Sequence, residues 1–127
     1  MNTAITTSRE NRIRASIGYL HIDDAGTGGI PVVFAHSFGG TLHNWAAQLE
    51  HLRVNRRAIA FDLRGHGLSD APSDNNYDVA LLAEDIATIA DSLELEKFML
   101  GGHSMGGSAV IAYAGLHPEK VAGLMMV

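Results

Sequence analysis

Near the end of the chain, Gly102, His103, Ser104, Met105 and Gly106 read G-x-S-x-G, a spacing with chemical meaning when a strand precedes it and a helix follows. A serine held on a tight strand-to-helix turn takes strained backbone angles, so the positions two before and two after it must lack side chains. Gly102 and Gly106 fill those positions. Such a turn lifts the Ser104 hydroxyl clear of the sheet, and the start of the helix offers backbone N–H groups and a positive dipole end to a developing oxyanion. Met105 carries the first of those N–H groups. The chemistry is nucleophilic attack by a serine. The same glycines would also suit a plain turn with an idle serine, so the flanking elements decide.

Those elements are legible. Residues 97–101 (KFMLG) form a short strand, and residues 105–116 form a small-residue helix that Pro118 stops. Upstream, residues 17–23 have strand composition and residues 25–29 (AGTGG) signal a turn. Residues 31–35 (PVVFA) and 57–62 (RAIAFD) are continuous apolar runs, as expected of strands buried on both faces in a parallel sheet. Within residues 41–53, Leu42, Trp45, Leu49 and Leu52 share one helical face, and Val79, Leu82, Ile86, Ile89 and Leu93 repeat that spacing over a second helix. Residues 63–76 are loop, and residues 121–127 (VAGLMMV) open one more apolar strand. Strands alternating with helices predict an α/β fold, a mostly parallel sheet flanked by helices with right-handed crossovers.

The 127 residues, 46% hydrophobic, suffice for one domain. We divide them into a flexible N-terminal lead at residues 1–14 and a domain at 15–127. A net charge of -5 leaves no basic surface for nucleic acid. The absence of cysteine excludes disulfides and thiolate zinc sites. The polar first residues lack the apolar core of a secretory signal, and no apolar run reaches bilayer length, so the expectation is a cytoplasmic protein without a membrane partner. No metal cluster or nucleotide-binding loop is present in the sequence, and no cofactor is expected.

Three motifs in order resemble the α/β-hydrolase family, over residues 17–127. His36-Ser37-Phe38-Gly39-Gly40 is similar to the family's His-Gly-x loop after the third strand, although Ser37 stands where glycine is usual. Asp62-Leu63-Arg64-Gly65-His66-Gly67-Leu68-Ser69-Asp70 resembles the turn after the fourth strand, and Gly102–Gly106 is the third motif. The resemblance implies that Ser104 is the nucleophile, that Phe38 N–H joins Met105 N–H in an oxyanion hole, and that Gly39 belongs to the oxyanion loop. It implies loop-bracing roles for His36 and His66. The wording GHSMGG is commonest among esterases, lactonases, C–C bond hydrolases and cofactor-free haloperoxidases. Ser104 fits less well with the relatives that use an aspartate nucleophile, the haloalkane dehalogenases and epoxide hydrolases.

A serine becomes an effective nucleophile when a histidine takes its proton and a carboxylate orients that histidine. His103 belongs to the turn itself, His43 and His51 read as solvated or boundary helix positions, and His117 lies at the far end of the helix from Ser104. In the family the acid and then the base follow the serine in later strands. The expectation is therefore a truncated α/β-hydrolase fold, strands two to six, with triad acid and base unknown and absent from this chain. It would act on a small-molecule ester-like substrate, completed by a homo-oligomer or by a missing C-terminal half. The alternative is a non-catalytic α/β module or fragment that associates through the open edge at residues 121–127.

Overall fold

The computed structural model describes residues 11–127. They run through strands β1 (Arg12–Ala15), β2 (Gly18–Ala25) and β3 (Val32–Ala35), helix α1 (Ala46–Leu52), β4 (Ala58–Phe61), α2 (Val79–Ser92), β5 (Phe98–Gly102), α3 (Met105–Leu116) and β6 (Val121–Met126). One sheet takes all the strands in the order β1-β2-β4-β3-β5-β6. The runs read as doubly buried strands, β3 and β4, are buried at every residue and pair in parallel. β3 also pairs in parallel with β5, and β5 with β6. The hairpin β1–β2 joins antiparallel, through β2 against β4.

Side chains alternate across a strand, and the core divides accordingly. Val33, Ala35, Ile59, Phe61, Phe98 and Leu100 face one side, where Leu82, Ile86 and Ile89 of α2 and Ala109, Val110 and Tyr113 of α3 cover them. Val32, Phe34, Ala58 and Ala60 face the other, under Leu42, Trp45 and Leu49. The helix expected at residues 41–53 begins as a 3-10 turn at Leu42–Trp45, because the Thr41 hydroxyl accepts from His43 N–H at 3.2 Å and Asn44 Oδ1 accepts from Thr41 N–H at 2.9 Å.

The hairpin corrects the sequence reading. Residues 12–14, assigned there to the flexible lead, lie in β1, so the sheet has one strand more than the expected five. A single apolar residue between two arginines carries no visible period, yet Ile13 is buried beside Leu20 and Ile22. The turn back is made at Gly18, with φ 122°. Residues 1–10 of the assigned lead lie outside the described residues.

The long loop between β4 and α2 is anchored by Arg64, which donates to both carboxylate oxygens of Asp85 at 2.8 and 2.9 Å. Both side chains are buried, so removing one partner leaves an uncompensated charge in the core. Arg64→Ala should therefore cost about 3–5 kcal/mol in chemical denaturation. The double variant Arg64→Met/Asp85→Leu should cost much less. Equal losses in single and double variants would remove the ion pair as the cause.

Candidate active site

The strand and helix that the G-x-S-x-G reading required are both present: β5 ends at Gly102 and α3 begins at Met105. Ser104 between them has φ 56° and ψ -113°, a conformation that costs a non-glycine residue about 1–3 kcal/mol and persists only where neighbours enforce it. The enforcement is a close approach of backbones. A Cβ on Gly106 would collide with the carbonyls of Ala35 and His36, and one on Gly102 would lie 2.6 Å from the Gly106 oxygen. His103 N–H donates to Ala35 O at 3.2 Å, which docks the turn on the end of β3.

Ser104 is exposed, and although it occupies the cap position of α3, its hydroxyl makes no capping bond. A serine at a helix N-cap ordinarily spends its oxygen on the second or third N–H; here that oxygen is left available. Phe38 and Met105 N–H find no acceptor among the described residues. Gly39, beside Phe38, has φ 81°, and the Phe38 side chain is 77% exposed. The structure thus brings the loop after β3 and the turn after β5 together on adjacent strands, at the same end of the sheet.

That loop is held from beneath. His36 is fully buried; its Nδ1 donates to Ser37 O at 2.7 Å and its Nε2 accepts from Leu63 N–H at 3.0 Å. Asp62 accepts from Leu42 N–H at 2.8 Å through one oxygen, and through the other from His21 Nδ1 at 2.8 Å and Leu68 N–H at 3.0 Å. His66 donates from Nδ1 to Arg64 O at 3.0 Å and meets the Phe38 ring edge-on, with centroids 5.6 Å apart.

Comparison with known proteins now decides the family. The sequence profile of the alpha/beta hydrolase fold family matches residues 30–127. The chain belongs to the α/β-hydrolase family. It is 43% identical over 102 residues to the dihydrolipoyllysine-residue acetyltransferase component of an acetoin cleaving system from Pseudomonas putida, covering 80% of this chain and 27% of that one. It is 36% identical over 118 residues to epoxide hydrolase 4 of Mus musculus, covering 91% of this chain and 33% of that one. Among solved structures, a thermophilic esterase from Thermogutta terrifontis superposes with a TM-score of 0.84 at 35% identity, covering 94% of this chain and 45% of that one. The chain therefore spans less than half the length of each of these relatives.

Within this α/β-hydrolase chain no described side chain hydrogen-bonds the Ser104 hydroxyl. Both nitrogens of His36 are committed, which excludes it as a base in this arrangement. His43 and His51 are exposed on their helix, and His117 caps the far end of α3, as the sequence reading had it. His103 is exposed and lines a cavity of about 180 Å³ with His36, Asn44, Trp45, Gln48 and Val127. A larger apolar groove of about 660 Å³ adjoins it, sharing Trp45, Gln48 and Val127 and running between α1 and the sheet, and Ser104 does not line it. Among the described residues no group of three or more His, Asp or Glu could hold a metal, and no helix is long and apolar enough to cross a membrane.

Sequence reasoning assigned Asp62 and Arg64 to their own turn and missed their reach. Arg64 pairs with α2, and Asp62 joins β2, the loop before α1 and the turn after β4. One signal was available: Asp85 falls on the apolar face of its helix with Leu82, Ile86 and Ile89, and a charge there demands a cation.

Burial holds the His36 imidazole neutral and lowers its pKa below 6.5, with His66 adding to the lowering against an opposing hydrogen bond to Ser37. The folded state binds this proton less readily than the unfolded chain, so the His36 contribution to stability is full above about pH 6.5 and is lost as pH falls through the lowered folded value. Denaturation of wild type and His36→Gln at pH 7.5 and 5.5 checks this. The stability advantage of wild type should shrink at the lower pH; a pH-independent gap would refute it.

Proposed function

We propose that this chain carries the nucleophile and oxyanion-binding part of a serine hydrolase acting on small esters or related acyl substrates. One observation supports this above all: Ser104 is exposed and strained at the head of α3, with its hydroxyl unspent. In this reading Ser104 Oγ attacks the acyl carbon, and the charge arising on the carbonyl oxygen is met by Phe38 and Met105 N–H in a hole whose preorganised dipoles need no rearrangement. Gly39, Gly102 and Gly106 give the backbone the shape this requires. The proton of Ser104 goes to a histidine supplied from outside the described residues, because none of theirs reaches the hydroxyl.

The likeness to a thermophilic esterase favours an acyl substrate. The likeness to an epoxide hydrolase brings epoxides into view as a second class. Ser104 separates them, since relatives that open epoxides attack with an aspartate at this position. Incubation with p-nitrophenyl acetate tests the assignment. The peptide containing Ser104 should carry the acetyl group, and Ser104→Ala should abolish that adduct. For the chain alone the rate should be only about 10³–10⁴-fold above the uncatalysed reaction, the residue left when a triad lacks its base. Acetylation spread over lysines, or unaltered by Ser104→Ala, would overturn the proposal.

A second reading concerns self-association. Among the described residues β6 pairs with β5 alone, and Leu124, Met125 and Met126 are 42%, 40% and 49% exposed. An unpaired apolar edge is a template for another strand, and pairing of two copies along β6 closes as a twofold dimer. The apolar groove beside it, lined by Phe34, Trp45, Met99 and Met125, extends the same surface. Sedimentation should show a concentration-dependent dimer that Met125→Lys weakens at least about tenfold through burial of a charge. A wild-type monomer at all concentrations would exclude it.

A further inference from the structure

The β1–β2 hairpin carries a cluster of cations that the proposed hydrolase chemistry does not use. Across this pair Arg12 stands opposite His21 and Arg14 opposite Tyr19. The Arg12 guanidinium lies 4.2 Å from the centre of the Tyr19 ring and that of Arg14 5.3 Å from it, with an Arg14 donor 3.3 Å from the Tyr19 hydroxyl. Stacking on an aromatic face restrains a guanidinium while leaving its N–H fork open.

These two arginines differ from the others described. Arg53, Arg57 and Arg64 each pair with an aspartate, and Arg56 donates to Ile30 O. Among the described residues Arg12 and Arg14 pair with no carboxylate. Each guanidinium has five N–H donors, and Arg14 directs one toward Tyr19. A cavity of about 240 Å³ opens here, lined by Arg12, Tyr19, His21, Leu68, Asp70 and Asn11. His21 is held through Nδ1 by Asp62, so its Nε2 is the ring's remaining polar atom. Asp70 is the one carboxylate in the wall, and its Oδ2 accepts from Tyr19 N–H at 2.8 Å.

We propose that this cavity is an anion-binding site for a small ligand bearing a phosphate or carboxylate group, gripped by Arg12 in its wall, with Arg14 adding positive charge from beside the Tyr19 hydroxyl. Arg12 in the wall faces one carboxylate, Asp70, and Arg14, 3.3 Å from the Tyr19 hydroxyl, tips the local balance positive on a chain of net charge -5. The forked donors suit both anions, and charge-assisted bonds are the stronger kind. Tyr19 supplies the preorganisation: its backbone is tied to Asp70 and its ring carries both cations, so ligand binding freezes little additional side-chain motion. The cavity volume admits an anion with a short organic body.

Calorimetric titration with inorganic phosphate, and separately with malonate, tests the site and shows which anion shape it prefers. Binding should saturate at one site, and Arg12→Gln/Arg14→Gln should weaken it about tenfold or more, as loss of charge-assisted bonds predicts. Tyr19→Leu, which keeps both charges but removes their platform, should also weaken it. Arg56→Gln, a remote charge change, should leave it intact, and thermal melts establish that each variant is folded. Binding that does not saturate, or that survives the double variant, would mean an adventitious ion only and would overturn the proposal. Equal weakening by Arg56→Gln would reduce the effect to net charge and overturn it as well.

Discussion

The approach of α3 to the ends of β3 and β5 is the constraint on which the rest of the site depends. With no side chain at positions 102 and 106, the first turn of the helix rests on backbone atoms, and a Cβ on Gly102 would come within 2.7 Å of Gly107 Cα. Contact at that range leaves no room for adjustment. The chain must reverse from strand to helix within two residues, and Ser104 absorbs the reversal in its positive φ. What holds the strain is the length of helix behind it, since Ala109, Val110 and Tyr113 are buried against the sheet and α2 and each side chain removed from water contributes on the order of 1–3 kcal/mol.

A second frame, made of hydrogen bonds, positions the loop opposite. Asp62 stands at the end of β4 and satisfies N–H groups from the 3-10 turn that leads into α1 and from the loop after β4. A buried carboxylate that loses such donors is costly, so the segments are fixed relative to β4 and, through it, to β3. His36 repeats the device in neutral form, taking Leu63 N–H on one nitrogen and giving its proton to Ser37 O with the other. Ser37, where the family's loop usually has glycine, is accommodated because its backbone stays outside the positive-φ region that would need glycine, and its carbonyl accepts both from His36 and from Gly40 N–H at 2.9 Å. Steric contact thus sets the serine, and polar contact sets the loop carrying Phe38.

Much of this was legible because it rests on local rules. The doubly apolar runs 31–35 and 57–62 became inner parallel strands, and the period of Val79, Leu82, Ile86 and Ile89 became α2. Gly102 and Gly106, spaced about Ser104, mark the close approach in the sequence itself. What escaped were interactions between segments distant in the chain. Nothing near Asp62 in sequence announces His21, which is 41 positions away. β1 escaped for a different reason: a four-residue edge strand with one buried side chain has too few alternations to register as a period, and it is stabilised by pairing with β2 more than by its own pattern.

The two faces of the sheet are unequally finished, and this bears on where the molecule is rigid. One face carries two helices and the larger core, against which Met105 packs next to the turn at Ser104. The other relies on α1 and on the stack of Trp45 against Phe34, with ring centres 4.4 Å apart. Among the described residues Trp45 Nε1 is buried there without a hydrogen-bond acceptor, a defect costing about 1–3 kcal/mol where water is excluded. Residues of that face also line the apolar groove beside β6. Local opening should be easier on the α1 side, because stability in a fold is distributed according to buried contact. The strained Ser104 belongs to the better-packed half, the half in which neighbouring atoms can enforce an unfavourable backbone conformation.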